Sequence, residues 1–406
     1  MRPLAGGSSA TEPPRRRQRA VVVGLELPDA PETAEPPLAE LKRLAETAGA
    51  DVLGEIVQRR PRPDAAHFIG KGKVEEAAAL AKAVNADVVI FDNDLSPAQE
   101  RNLEKIIGRP ICDRSRLILD IFATRARSRQ AALQVELAQL EYQKPRLKRM
   151  WTHLERMEGA IGSRGPGEKQ IEEDKRIIGK RIANLKRQLE VVERQRESRS
   201  SSRAPYFKVS LVGYTNAGKS TLLHRLTGAD AFIEDKLFAT LDTQTRAWHI
   251  AGNIRVFLSD TVGFIRDLPK ELFAAFRATF EEAEDADLLL HVVDVSDPAI
   301  GEHIRATEHL LGELGLAATP TLLVFNKADR LPVGDAESIA RGRGGIAVSA
   351  LERESLRPLL AEMERRLFPD GGRRLLDDVE QSHVGTIEAA SEDPDVDGGA
   401  LEGAAE

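Results

Sequence analysis

The feature that most limits what this chain can fold into is residues 213–220, GYTNAGKS. They follow an apolar run at 209–212 and precede a helical run at 221–226. Strand, glycine-rich loop and helix in that order form a phosphate cradle, with backbone N–H groups of the loop and helix N-terminus pointing at the ligand. Gly213, Asn216, Gly218, Lys219, Ser220 and Thr221 are the candidate phosphate-binding set. Lys219 can place its ammonium beside β and γ oxygens, and Ser220 can offer its hydroxyl to Mg²⁺. A plain glycine-rich turn before a helix is the competing explanation, and the agreement of all three elements weighs against it.

Further motifs follow in the order a nucleotide site requires. Asp260 ends an apolar run at 254–258 and opens DTVG, which places a carboxylate where a second Mg²⁺ contact is expected and Gly263 where an N–H can meet a γ-phosphate. Asn326-Lys327-Ala328-Asp329 follows a third buried-looking strand, 322–325. The Asp329 carboxylate can accept from guanine N1–H and the exocyclic amine, whereas adenine would leave a buried acceptor unpaired. Ser349-Ala350 fits the last base-contacting loop. Between loop and Asp260, Thr240 is the expected switch ligand for Mg²⁺, with Thr243 and Thr245 as alternatives that spacing does not separate. Asn216 offers a carbonyl that can hold K⁺ against the phosphates or simply shape the loop. Phe264 stands where a water-orienting glutamine is common, and phenylalanine cannot hydrogen-bond water.

With 406 residues, two or three domains are expected. A single cysteine, Cys112, forms no internal disulfide, which favours a reducing compartment, the cytoplasm. No apolar run approaches the roughly 20 residues of a membrane span. Residues 1–19 read as a flexible lead-in and 20–124 as a small α/β domain of alternating strand and helix patterns. Residues 125–199 read as two long antiparallel helices around a basic loop, 206–368 as the P-loop domain, and 369–406 as an acidic, disordered tail. Net charge is −7, but 125–199 carries nineteen Lys/Arg against eleven Asp/Glu, so a basic middle is hidden by the tail. Arg164 and Lys169, among glycines of the basic loop, are the candidate RNA contacts.

GYTNAGKS, FATLDT, DTVGF, NKAD and SAL, preceded by GKGKVEE at 70–76, DNDLSPAQERNLE at 92–104 and IGSRGPGE at 161–168, closely resemble the HflX-type ribosome-associated GTPases. The resemblance spans residues 21–368 and implies a Mg²⁺-dependent GTPase domain behind an α/β domain and a helical hairpin that reaches ribosomal RNA. It implies action on the large ribosomal subunit, with the GTP-bound protein splitting stalled or idle ribosomes. A monomer is the expected working form. Glu352-Arg353-Glu354 departs from the family's glycine-containing turn. Two rivals are a tRNA-modifying GTPase, which would need a catalytic cysteine or a cofactor domain, and an RNA-binding module with a decayed GTPase, which intact Lys219, Ser220, Asp260 and Asp329 oppose.

Overall fold

The computed structural model describes residues 17–28, 35–149, 166–200, 206–228, 237–238, 244–250, 254–266, 269 and 283–368. Thr240, Thr243, Arg164, most of the lead-in and the acidic tail lie outside them. The chain divides into two compact units, Met1–Leu360 and Ala361–Glu406. Both sheets belong to the first. The described part of the second is the end of the last helix, where Glu362 accepts from Arg365 and Arg366, each at 2.7 Å.

Strands β1 (Gln18–Glu26), β2 (Ala50–Arg59), β3 (Val88–Phe91) and β4 (Ile111–Cys112) form a parallel sheet in the order β2-β1-β3-β4. The valine run of β1 is buried throughout, as a central parallel strand covered on both faces must be. Its side chains alternate between two cores. Val21 and Val23 meet α2 (Lys71–Ala83) and α3 (Pro97–Ile107) through Val74, Ala77 and Leu103. Ala20 and Val22 share a cluster with α1 (Ala39–Thr47), α4 (Arg114–Arg125) and α5 (Arg129–Gln143), through Leu41, Leu44, Ile118, Phe122 and Val135. The start of α3 is fixed by a capping box, in which Ser96 Oγ accepts from Gln99 N and Gln99 Oε1 accepts from Ser96 N, with Pro97 in the first turn.

Helix α5 is apolar on two stripes. Ala131, Val135, Ala138 and Tyr142 pack into the first domain, while Leu133 and Leu137 meet Ile182, Leu185 and Leu189 of α6 (Pro166–Ser200). Ion pairs flank this second seam, Glu136 with Arg181 at 2.7 Å and Glu141 with Lys186 at 2.9 Å. The segment expected to open the helical region is thus also a layer of the domain before it.

The second sheet has the order β10-β9-β8-β5-β7-β6. It comprises β5 (Phe207–Val212), β6 (Gln244–Ile250), β7 (Ile254–Asp260), β8 (Leu288–Asp294), β9 (Thr321–Asn326) and β10 (Ile346–Ala347), with β6 alone antiparallel. Helix α7 (Lys219–Thr227) follows the P-loop, and α8 (Ile300–Glu313), α9 (Asp335–Gly342) and α10 (Arg357–Leu367) follow in chain order. Because the strands are parallel, the turns after β5, β7, β9 and β10 open at one edge of the sheet, where ligands of such folds bind. The GYTNAGKS, DTVGF, NKAD and SAL motifs lie in those turns.

Candidate nucleotide site

The phosphate loop depends on two glycines. Gly213 has φ +142° and a Cβ there would lie 2.2 Å from the Val292 carbonyl oxygen; Gly218 has φ +89° and a Cβ there would lie 2.3 Å from Asn326 Nδ2. Only glycine meets both demands. Gly218 caps the N-terminus of α7, whose first residue, Lys219, is buried. The Lys219 ammonium donates to the carbonyls of Gly213 and Tyr214, each at 2.9 Å. Burial pushes its pKa down to about 8, partly offset by Asp260. Ser220 Oγ donates to Asp260 Oδ2 at 2.5 Å, and Asp260 is itself buried. A hydroxyl and a carboxylate brought together this way are hard oxygen donors suited to Mg²⁺. Thr221, next along α7, is half-buried.

The base side is braced by Asn326, whose Nδ2 donates to Ala217 O at 2.9 Å and whose Oδ1 accepts from Ala350 N at 3.0 Å. One side chain therefore ties the P-loop to the loop after β10. Lys327 sits in the left-handed region at φ +64° with its ammonium 2.6 Å from Asp294. Ser349 Oγ donates to Asp329 Oδ1 at 2.5 Å. Sequence reading expects a buried Asp329, but the carboxylate stands exposed, because the 3-10 turn after β9 carries it to the rim; the penalty for an unpaired acceptor applies once a base covers it. Two further supports carry no sequence signal. Arg225, at the end of α7, donates to the carbonyls of Ala350 at 2.9 Å and Leu351 at 2.6 Å, and Ser355 Oγ both accepts from Ser349 N and donates to Ser349 O. The latter closes the turn through Glu352-Arg353-Glu354 without glycine.

Of the alternative switch threonines, Thr245 is engaged within the β6–β7 pair, its hydroxyl 3.1 Å from that of Ser259. Asn216 is exposed, with φ +63°. Phe264 is buried and its backbone is zipped to the P-loop: Phe264 N donates to Gly213 O at 3.0 Å, and Thr215 N donates to Phe264 O at 2.7 Å. Lys169 lies in the first turns of α6. Cys112 is buried and burial pushes its thiol up, which removes it as a nucleophile for a modification reaction.

A group of residues from the first domain also reaches this site. Arg114, 2 % exposed, pairs with Glu40 and, at 2.7 Å, with Asp92, and donates at 2.9 Å to the carbonyl of Arg266. Arg266 reaches Asp92 at 3.0 Å, and its N–H donates at 2.8 Å to the Tyr214 hydroxyl, which donates to Glu40. Burial alone would raise the Glu40 carboxyl, but Arg114 and Arg266 outweigh it and hold the group below its ordinary range. The Tyr214 ring stacks on His303 of α8 at 3.8 Å. Phe238, at φ +56°, sets its ring 4.5 Å from that of Phe122 on α4.

Three family models match the chain: "GTP-binding GTPase N-terminal" over residues 35–123, "GTP-binding GTPase Middle Region" over 125–203 and "50S ribosome-binding GTPase" over 208–327. The chain is 51 % identical over 296 residues to GTPase HflX of Escherichia coli, covering 72 % of this chain and 70 % of that protein. It is 46 % identical over 370 residues to GTPase HflX of Caldanaerobacter subterraneus, covering 90 % and 84 %. Among solved structures, the crystal structure of the SsGBP and GDP complex aligns with a TM-score of 0.50 at 24 % identity, over 88 % of this chain and 99 % of that one, a likeness of fold. No helix among the described residues is long and apolar enough to cross a membrane.

Proposed function

The chain belongs to the HflX family of GTPases, enzymes that bind GTP and hydrolyse it, and on that footing we propose that it works on the large ribosomal subunit, its GTP-bound state splitting or rescuing stalled or idle ribosomes. The observation that carries this reading is the match of residues 208–327 to a model described as a 50S ribosome-binding GTPase. The reading implies the cytoplasm as its compartment and a monomer as the working form.

In this reading Gly213, Asn216, Gly218, Lys219, Ser220 and Thr221 hold the phosphates, and Gly263 meets the γ-phosphate through its N–H. Asn326, Lys327, Asp329, Ser349 and Ala350 hold guanine. Ser220, Asp260 and Thr240 hold Mg²⁺, and the 2.5 Å approach of the first two supports that assignment. When bound, the ion neutralises charge on the β and γ oxygens. Lys219 adds a second positive charge there, and the loop N–H groups fix the phosphoryl group for in-line attack by water.

Phe264 cannot orient that water, so another group completes the site. The exposed Asn216 at the rim of the loop is the proposed K⁺ ligand, which would add positive charge as the transition state develops. Turnover is then expected to be roughly tenfold faster in K⁺ than in Na⁺ at matched ionic strength. Equal rates would remove Asn216 from this role.

The apolar seam and the two ion pairs between α5 and α6 support two helices packed against each other, the arms of the proposed hairpin. Its tip would carry Arg164 and Lys169 to ribosomal RNA. The test is GTP turnover with separated subunits. Large subunits should stimulate it, small subunits should not, and stimulation should fall steeply with salt because phosphate contacts release counterions. The variant Arg164→Ala with Lys169→Ala should keep basal turnover and lose most of the stimulation. Failure of large subunits to stimulate the unmodified chain would count against the ribosomal reading, and full stimulation of the double variant against the hairpin tip.

A further inference from the structure

Two arginines, Arg114 and Arg266, face two carboxylates, Glu40 and Asp92, in a charge-balanced quartet between the first domain and the segment that follows Asp260. Arg114 lies wholly inside the protein, where removing a partner from a buried charge is strongly unfavourable. If Arg266 moves away, two carboxylates are left to share one guanidinium. The quartet therefore favours one position of residues 263–266. In that position Gly263 lies directly over the phosphate loop. A single carbon added to it would sit 3.1 Å from Lys219 Nζ and 2.8 Å from Thr215 Cα, so a γ-phosphoryl group does not fit between them. The zipper between Phe264 and the loop fixes the same position from the backbone.

Phe238, just ahead of the candidate switch residue Thr240, is held as well. A non-glycine residue in the left-handed region is strained, and such strain persists where surrounding contacts outweigh it. Phe238 is one, and its buried ring rests on Phe122 of the first domain. The P-loop, through Tyr214, and the residues Phe238 and Arg266 are thus tied to one neighbouring domain. Tyr214 is the hinge of the arrangement, since its hydroxyl accepts from Arg266 N and donates to Glu40 while its ring stacks on His303.

We infer that Glu40, Asp92 and Arg114 form a latch on Tyr214 and Arg266 that holds residues 263–266 over the γ-phosphate position, and that this latch sets how strongly the site prefers a guanosine diphosphate to a triphosphate. The inference rests on the nucleotide site proposed above. A diphosphate leaves the latch closed, whereas a triphosphate must break it, so the work of opening is subtracted from triphosphate binding alone.

The test measures the affinity of the full chain for GDP and for a non-hydrolysable GTP analogue. Arg266→Ala removes a half-exposed side chain and is expected to tighten the analogue about fivefold relative to GDP, the scale of one partly exposed ion pair. Arg266→Lys, which keeps the charge, should recover most of the unmodified ratio. Tyr214→Phe keeps the ring and removes the hydroxyl, and should move the ratio in the same direction as Arg266→Ala. A melting curve shows that each variant is folded, and Arg266→Ala decides if Tyr214→Phe is not. An analogue-to-GDP ratio that stays constant or falls in Arg266→Ala overturns the latch while leaving the nucleotide site intact. Failure of the unmodified chain to bind GDP overturns both.

Discussion

Lys219→Ala is expected to lower single-turnover GTP hydrolysis by about 10² to 10³-fold, the usual cost of removing one preorganised charge from a transition state. The ammonium is fixed before any ligand arrives, by the carbonyls of Gly213 and Tyr214 on either side of the loop turn. Burial lowers its pKa only to about 8, so it is charged at neutral pH and needs no proton uptake to act. The substitution also leaves those carbonyls without their donor, which loosens the loop and weakens binding of both nucleotides. Single turnover at saturating GTP separates the two effects. A loss below tenfold, with the variant folded, would show that the charge on the γ-phosphate is supplied elsewhere.

Asp329→Asn should weaken GTP by about 3 kcal/mol, roughly a hundredfold, because two donors of guanine lose a charged acceptor and one of them faces the new amide N–H₂. The same amide can donate to the C2 carbonyl of xanthine, so the xanthosine nucleotide should gain as GTP loses. The substitution isolates recognition from loop shape: an amide oxygen can still accept from Ser349 Oγ, while Ser355 and Arg225 hold the neighbouring turn independently. Competition between the two nucleotides for the variant is the measurement. An unchanged preference would locate guanine recognition in other residues.

The motifs were legible because each couples a residue type to a backbone event within a few positions. Gly213 and Gly218 read as turn glycines, and the structure adds why no other residue fits, since Val292 O and Asn326 Nδ2 occupy the Cβ positions. The α/β character of the first domain followed from alternating strand and helix patterns, and the valine run read there as a strand is the buried β1. What local pattern does not carry is the partner across a domain boundary. Glu40 is one of several charges on an amphipathic helix, Arg114 opens a helix as many arginines do, and Tyr214 fills a variable position of the phosphate loop. Their meaning lies in partners far along the chain, such as Glu40 and Tyr214, 174 residues apart. The exposure of Asp329 was also hidden, because a motif fixes the order of residues but not how far a turn carries one of them outward.

The apolar cluster that holds Leu41, Leu44 and Phe122 also holds Val212, Phe238, Val262 and Phe264. Hydrophobic surface of this kind has no smaller form in which it is satisfied: cutting the chain between the domains would expose both halves to water and to each other's copies. A catalytic domain that in other arrangements could be shuffled as a cassette is here committed to its neighbour. A substitution at Phe122 is therefore felt at Phe238, whose ring lies 4.5 Å away across the domain boundary.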